Sequence, residues 1–127
     1  MPPVRIFKSR GFARFTRKED IDDAKLLEAI KDAEAGKIYA NYGGGLIKQQ
    51  ISRPHGGKSG GYRVLILYHR KDRAFFVYGF PKNKRDNITE AEEEGFKKLG
   101  KYLLAASDEE LKKLVKNESF LEVKDDD

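Results

Sequence analysis

The chain has 127 residues, enough for one domain with a hydrophobic core, and 26 basic and 21 acidic side chains give it a net charge of +5. The absence of cysteine excludes disulfides and thiolate metal sites, and two histidines, His55 and His69, are too few for a histidine metal cluster. No apolar run reaches the ~18 residues of a membrane-spanning helix and no secretory signal is seen, so we expect a cytoplasmic protein without metal or other cofactor.

The first 53 residues are expected to contain two short strands and one helix. Residues Val4–Phe7 are typical of a strand, and "GGGLIKQQISR" (43–53) predicts another strand after a glycine turn. A single helix is predicted over residues 16–36, with acidic residues near its start and Gly36 at its end. The apolar residues that recur there at helical spacing are Ile21, Ala24, Leu27 and Ile30.

A glycine-rich segment, "RPHGGKSGGYR" (53–63), follows the second strand. Its Gly-Lys-Ser triplet matches the end of a nucleotide-binding P-loop, but that motif requires a glycine where Ser52 stands and a helix afterwards. A strand-like run follows instead. The segment is therefore interpreted as a loop between two strands, in which the glycines permit turns.

The clearest strand is "GYRVLILYHR" (61–70). Its middle is apolar on both faces, which is typical of a central strand, and its alternation directs Tyr62 and Arg63 to opposite faces. Four residues, Arg70–Arg73, separate this strand from "AFFVYGF" (74–80). Two strands so closely spaced predict a β-hairpin.

The C-terminal part is expected to be mainly helical. Two capping boxes, "TEAE" (89–92) and "SDEE" (107–110), each predict the start of a helix. The later segment "FLEV" is compatible with an edge strand, and residues 124–127 are expected to form a flexible acidic tail. No repeat or linker interrupts the chain, so residues 1–127 are predicted to form one α+β domain.

The basic side chains are concentrated in the middle of the chain. Residues 48–90 carry 10 basic and 3 acidic side chains, whereas the segments before and after them have net charges of +2 and −4. Because a hairpin brings the start of its first strand beside the end of its second, these cations are expected to gather at one end of the sheet. The expected cluster comprises Arg63, Lys58, Lys82, Lys84, Arg85 and Arg53, with Lys48 farther along its strand.

A cluster of this kind is suited to a polyanion such as RNA. RNA carries its own nucleophile, the 2′-hydroxyl, so a protein that cleaves it must orient that group, stabilise charge on the phosphorane and transfer a proton. Arginine binds phosphate in a bidentate manner, and tyrosines can stack on bases. From the residues alone, a basic patch that binds RNA or DNA without cutting it is the favoured interpretation.

The run "NYGGGLIKQQISRPHGGKSGGYRVLILYHRKDRAFFVYGFPKNKRDNI" (41–88) resembles the RelE/HigB group of toxins from type II toxin–antitoxin pairs. The resemblance extends over residues 4–123. It implies the RelE-like microbial ribonuclease fold, an α+β fold in which a curved antiparallel sheet carries helices packed on one side. It also implies cleavage of mRNA on the ribosome without a metal, and a cognate antitoxin of the helix-turn-helix, HigA-like kind.

The resemblance also assigns roles to individual residues. Arg63 matches the family arginine that contacts the scissile phosphate, and the implied catalytic set is Arg63, Lys82, Lys84 and Arg85. The resemblance gives Lys48 and Lys58 as counterparts of family lysines, and with Arg53, Tyr62 and Tyr78 from the residue-level reasoning they form the predicted RNA-binding set. The catalytic tyrosine near the C-terminus of some RelE toxins has no counterpart, since Asn87 and Thr89 stand in that region.

The sequence therefore leaves three functions open. The first is a ribosome-dependent mRNA endoribonuclease that inhibits translation. The second is a ParE-like toxin that poisons DNA gyrase from the same fold. The third is a basic nucleic-acid-binding protein without catalytic activity.

Overall fold

A computed structural model describes residues 4–53 and 60–124. Within these residues the chain forms one six-stranded sheet and four helices. The strands are β1 (Arg5–Ser9), β2 (Ala40–Gly43), β3 (Leu46–Ile51), β4 (Tyr62–His69), β5 (Arg73–Pro81) and β6 (Phe120–Val123). The helices are α1 (Arg10–Glu19), α2 (Asp23–Glu34), α3 (Glu90–Ala105) and α4 (Asp108–Lys116). No helix in the described part of the chain is long and apolar enough to cross a membrane.

The sheet order is β2-β3-β4-β5-β1-β6, and every neighbouring pair is antiparallel except β1 and β5, which are parallel. The predicted hairpin of β4 and β5 lies at its centre, and β6 forms one edge as the "FLEV" segment indicated. An antiparallel sheet combined with separate helices confirms the predicted α+β class.

Helices cover both faces of the sheet. On one face, called the α1 face, side chains such as Val64 and Ile66 pack under α1 and α2. On the other, called the α3 face, Leu65 and Leu67 pack under α3 and α4. The resemblance implied helices on one side alone, and the structure corrects this detail. The physical reason is that β4 is apolar on both faces, and each apolar face must be removed from water.

The helix predicted over residues 16–36 is divided in two. Asp20 adopts a left-handed conformation (φ 58°), and its N–H donates to the carbonyls of Thr16 and Arg17, which ends α1. Asp22 then caps α2, because its side chain accepts a hydrogen bond from the N–H of Lys25. The other two helix starts agree with prediction, since Thr89 and Ser107 both form complete capping boxes.

An irregularity in β5 determines which of its aromatic side chains face α3. Leu65 pairs with Tyr78 but Ile66 pairs with Phe76, so Val77 is an extra residue and forms a β-bulge. As a result Tyr78 lies in the same core cluster as Phe75, although three positions separate them. The bulge therefore places the side chains of Tyr78 and Phe80 on the α3 face, which also carries Arg63.

Candidate nucleic-acid interface

Arg63 lies near the start of β4 on the α3 face, between Gln50 of β3 and Phe80 of β5. Its side chain is almost covered, with 8% exposure. Nη2 donates a hydrogen bond of 2.9 Å to the hydroxyl of Tyr39, whose ring centroid lies 4.4 Å from the guanidinium carbon. Among the described residues Nη1 of Arg63 has no acceptor. A buried guanidinium with an unused donor is chemically suited to bind an anion.

Lys48 is the second buried cation of the α3 face, with 6% exposure. Its ammonium lies 5.6 Å and 5.7 Å from the ring centroids of Tyr39 and Tyr42. Nζ donates a hydrogen bond of 3.3 Å to Oδ1 of Asn87, and the Tyr42 hydroxyl donates to the same oxygen at 2.5 Å. Within residues 4–53 and 60–124, no carboxylate forms an ion pair with Lys48 or Arg63.

Arg85, in contrast, is neutralised by an acidic partner. Its Nη2 lies 2.6 Å from Oε1 of Glu92 in the first turn of α3, and its Nη1 donates to the hydroxyl of Tyr78 at 2.9 Å. The guanidinium carbon also lies 5.3 Å from the ring centroid of Phe80. The hydrogen bond from Arg85, followed by the backbone N–H of Thr89, lowers the pKa of Glu92 to about 2. Arg85 thus ties the segment after β5 to the start of α3.

Replacing Glu92 with glutamine is expected to lower the melting temperature by roughly 2–4 °C at neutral pH, as loss of a surface ion pair does in a chain of this size. Since the folded pKa of about 2 lies below the ordinary 4.5, the stabilisation is full above pH 4.5 and disappears as the pH falls toward 2. Melting curves of both proteins between pH 2 and 7 measure this difference.

The matched control is Glu110→Gln in the other capping box. Glu110 accepts the same backbone hydrogen bond, from Ser107, but no arginine is paired with it. Glutamine can retain that bond, so this variant is expected to melt close to wild type. Equal losses in the two variants would show that the Arg85 pair does not stabilise the fold.

The remaining predicted cations have different surroundings. Lys82 and Lys84 are exposed in the turn after β5, and the backbone N–H of Lys82 donates to the carbonyl of Gly61 at 2.9 Å. The structure therefore brings this turn to the start of β4, as the hairpin predicted. Arg53 is exposed just after β3, whereas Lys58 and His55 lie outside the described residues.

Tyr62 lies away from the other predicted site residues. It is 5% exposed on the α1 face, where its ring meets that of Phe15 edge to face at a centroid distance of 5.7 Å. Burial, followed by a hydrogen bond with Glu19, raises the pKa of its hydroxyl. A base bound on the α3 face therefore has no access to this ring.

The sequence patterns did not indicate that Tyr39, Tyr42 and Asn87 belong to the cluster. Tyr42 belongs to β2 and Tyr39 directly precedes it, and β2 is a four-residue strand without an alternating apolar pattern. The sequence offered one indication of these residues, the spacing of two tyrosines just before a glycine turn. The two tyrosines can be placed at the site only once β2 is known to pair with β3.

A large concavity of the described chain lies elsewhere. It has a volume of about 700 Å³ and is formed between α2 and the β1–β6 edge, with Leu27, Ile30 and Val123 among its lining residues. None of the predicted site residues lines it. The cationic cluster of the α3 face is therefore the surface that matches the chemistry of a phosphate backbone.

The fold and this cluster define a small basic α+β protein. Two buried cations on one face of its sheet have no carboxylate partner among the described residues. The sequence profile described as "RelE toxin of RelE / RelB toxin-antitoxin system" matches residues 4–123, and the chain belongs to this family. It is therefore the toxin of a toxin–antitoxin pair, and its partner is an antitoxin. No curated protein matches the chain at a significant level.

Proposed function

We propose that this toxin is a metal-independent endoribonuclease that cleaves mRNA on the ribosome and thereby inhibits translation. The observation that carries the proposal is the pair of buried cations, Arg63 and Lys48, without a carboxylate partner in the described chain. Burial of an unpaired charge is unfavourable, so these side chains are best explained by an anionic ligand that neutralises them. The phosphate of an RNA chain is such a ligand.

In the proposed reaction, the RNA 2′-oxygen attacks the adjacent phosphorus and the bond to the 5′-oxygen breaks. The products are a 2′,3′-cyclic phosphate and a free 5′-hydroxyl. Arg63 donates hydrogen bonds to the phosphorane oxygens, where negative charge develops, and Lys48 adds a second positive charge nearby. Lys82 or Lys84 assists the transfer of the proton from the 2′-oxygen to the leaving 5′-oxygen.

The outer part of the site is proposed to bind the flanking nucleotides. Arg53 and Lys58 contact neighbouring phosphates, and Arg85 is oriented by Glu92 toward the same strand of RNA. Tyr78 offers an aromatic surface beside Arg85 for a base. Tyr62 is left out of this set because its ring lies on the α1 face.

The cognate antitoxin is proposed to be a helix-turn-helix protein of the HigA kind that masks this basic face. In the cytoplasm, the ribosome would present the mRNA, and the antitoxin would compete with RNA for the same cations. Binding between the two proteins should therefore weaken as salt increases.

Induced expression of the toxin in growing bacteria, with mapping of transcript ends, tests the proposal. Rapid growth arrest with new mRNA 5′ ends inside coding regions is the expected result. Arrest with intact transcripts and induction of the DNA-damage response would instead indicate a gyrase poison. Soluble, folded protein without arrest or new ends would indicate a nucleic-acid-binding protein that does not cut.

Purified components test ribosome dependence and metal independence separately. The toxin is incubated with one mRNA, either free or in a ribosomal initiation complex. Because EDTA disrupts ribosomes, metal independence is tested on the free RNA alone, at high toxin concentration, with and without EDTA. Cleavage confined to the ribosomal complex supports ribosome dependence, and cleavage of free RNA that EDTA abolishes would contradict metal independence.

A further inference from the structure

Tyr39 stands between the two buried cations and the solvent. The guanidinium carbon of Arg63 and the ammonium of Lys48 lie 4.4 Å and 5.6 Å from the centroid of its ring, and its hydroxyl accepts a hydrogen bond from Arg63. Tyr39 itself is 50% exposed, in contrast to the two cations. The ring therefore covers charges that the proposed reaction requires to be in contact with phosphate.

This arrangement conflicts with direct binding of a phosphate. A bidentate contact needs two N–H groups of one guanidinium at hydrogen-bond distance from the ligand. Nη2 of Arg63 is already bonded to Tyr39, and Nη1 is buried without an acceptor in the described chain. An approaching phosphate must therefore displace a group that now covers the guanidinium.

The surroundings of Tyr39 favour rotation of its side chain over movement of its backbone. Its backbone N–H donates to Oε1 of Gln49 at 2.8 Å, and the amide of this buried glutamine donates in turn to the carbonyls of Ala29 and Lys37. The backbone is thus fixed to β3 and α2. The ring, by comparison, is held over the site by one hydroxyl contact and by its interactions with the cations.

We propose that Tyr39 is a movable cover of the phosphate site, closed in the free protein and displaced when RNA binds. The identity of the ligand rests on the proposed function, whereas the cover itself rests on the contacts of Tyr39. Since only the open form binds phosphate, the apparent dissociation constant is the intrinsic one divided by the open fraction. Removal of the ring is expected to strengthen anion binding roughly 5- to 30-fold, the range that a cation–π contact and one net hydrogen bond represent.

Chemical modification of arginine tests the cover without any RNA. The full chain is treated with phenylglyoxal, and the rate at each arginine is followed by mass spectrometry. Tyr39→Ala is expected to raise the rate at Arg63 roughly 5- to 30-fold, and Tyr39→Phe, which keeps the ring but loses the hydroxyl contact, by a smaller factor. The exposed Arg70 serves as an internal reference whose rate stays constant.

The matched control is Tyr102→Ala on α3. Tyr102 is 49% exposed, like Tyr39, but has no contact with either cation. Its removal should leave the rate at Arg63 unchanged. If Tyr39→Ala does not fold, as circular dichroism will show, the comparison of Tyr39→Phe with wild type still gives the direction of the effect.

Binding of a 2′-O-methyl RNA oligonucleotide, which cannot be cleaved, provides the second measurement. Tyr39→Ala should bind it more tightly by the factor found in the modification assay. An unchanged rate at Arg63, or weaker RNA binding by Tyr39→Ala, would overturn the cover, and the latter would identify the ring as part of the RNA-binding surface. Neither readout requires cleavage, so the ribonuclease proposal can fail while the cover stands, or the reverse.

Discussion

Replacing Arg63 with alanine is expected to lower the rate of mRNA cleavage by at least ~100-fold, as does the loss of one preorganised donor to a developing oxyanion. Growth arrest on induction should disappear with it. Transcript-end mapping and cleavage by the purified protein both measure the effect. The fold should survive, because the substitution removes a buried cation that has no carboxylate partner among the described residues.

Two further variants make this result interpretable. Arg63→Lys keeps the charge but not the planar fork of donors, so it should retain part of the RNA affinity and little of the cleavage rate. Arg70→Ala removes an exposed arginine just beyond the other end of β4 and should behave as wild type. A folded Arg63→Ala protein that still cleaves mRNA at the wild-type rate would exclude Arg63 from the reaction.

Replacing Lys48 with methionine is expected to change function and stability in opposite directions. Methionine has a similar length and no charge, so the buried site no longer contains an unpaired cation, and the free energy of unfolding should rise by about 1 kcal/mol. RNA binding should weaken, and the slope of log affinity against log salt should shrink by about 0.7, the value for one phosphate contact on a single strand. Thermal melting and salt titrations measure the two quantities.

Lys84→Met separates the two effects. Lys84 is exposed in the turn after β5, so removal of its charge should reduce the salt slope without raising the melting temperature. A lower melting temperature for Lys48→Met would contradict the view that burial of this cation is unfavourable. It would show that the two tyrosine rings and Asn87 fully compensate the charge.

The local features of this fold could be predicted from the sequence. Alternation along β4 predicted that successive side chains would face opposite ways, and the two core clusters confirm it, with Val64 and Ile66 in one and Leu65 and Leu67 in the other. The capping boxes predicted where α3 and α4 begin. These predictions succeeded because each depends only on residues a few positions apart in the sequence. The local geometry of a strand or a helix start fixes how such residues are placed.

The site could be predicted only where it follows from a hairpin. The turn that carries Lys82 and Lys84 lies beside the start of β4 because antiparallel strands fix that relation. Tyr39, in contrast, meets Arg63 across 24 positions of sequence, through the pairing of β2 with β3 and of β3 with β4. The division of the predicted helix was missed for a different reason, because the apolar pattern begins only at Ile21 and does not indicate the left-handed conformation of Asp20 before it.

The bulge at Val77 keeps Tyr78 on the α3 face although β5 contains one residue more than the stretch of β4 that it pairs with. Deletion of Val77 would restore simple alternation with Tyr78 still opposite Leu65, whereas regular pairing of the full-length strand would turn Tyr78 toward the α1 face. Gly79, whose missing Cβ would lie 2.5 Å from a ring carbon of Phe15, now leaves room there that a larger side chain would not. The bulge, and not simple alternation, thus holds the rings of Tyr78 and Phe80 beside Arg85. A relative without the residue between Phe76 and Tyr78 would therefore still present both rings on the α3 face.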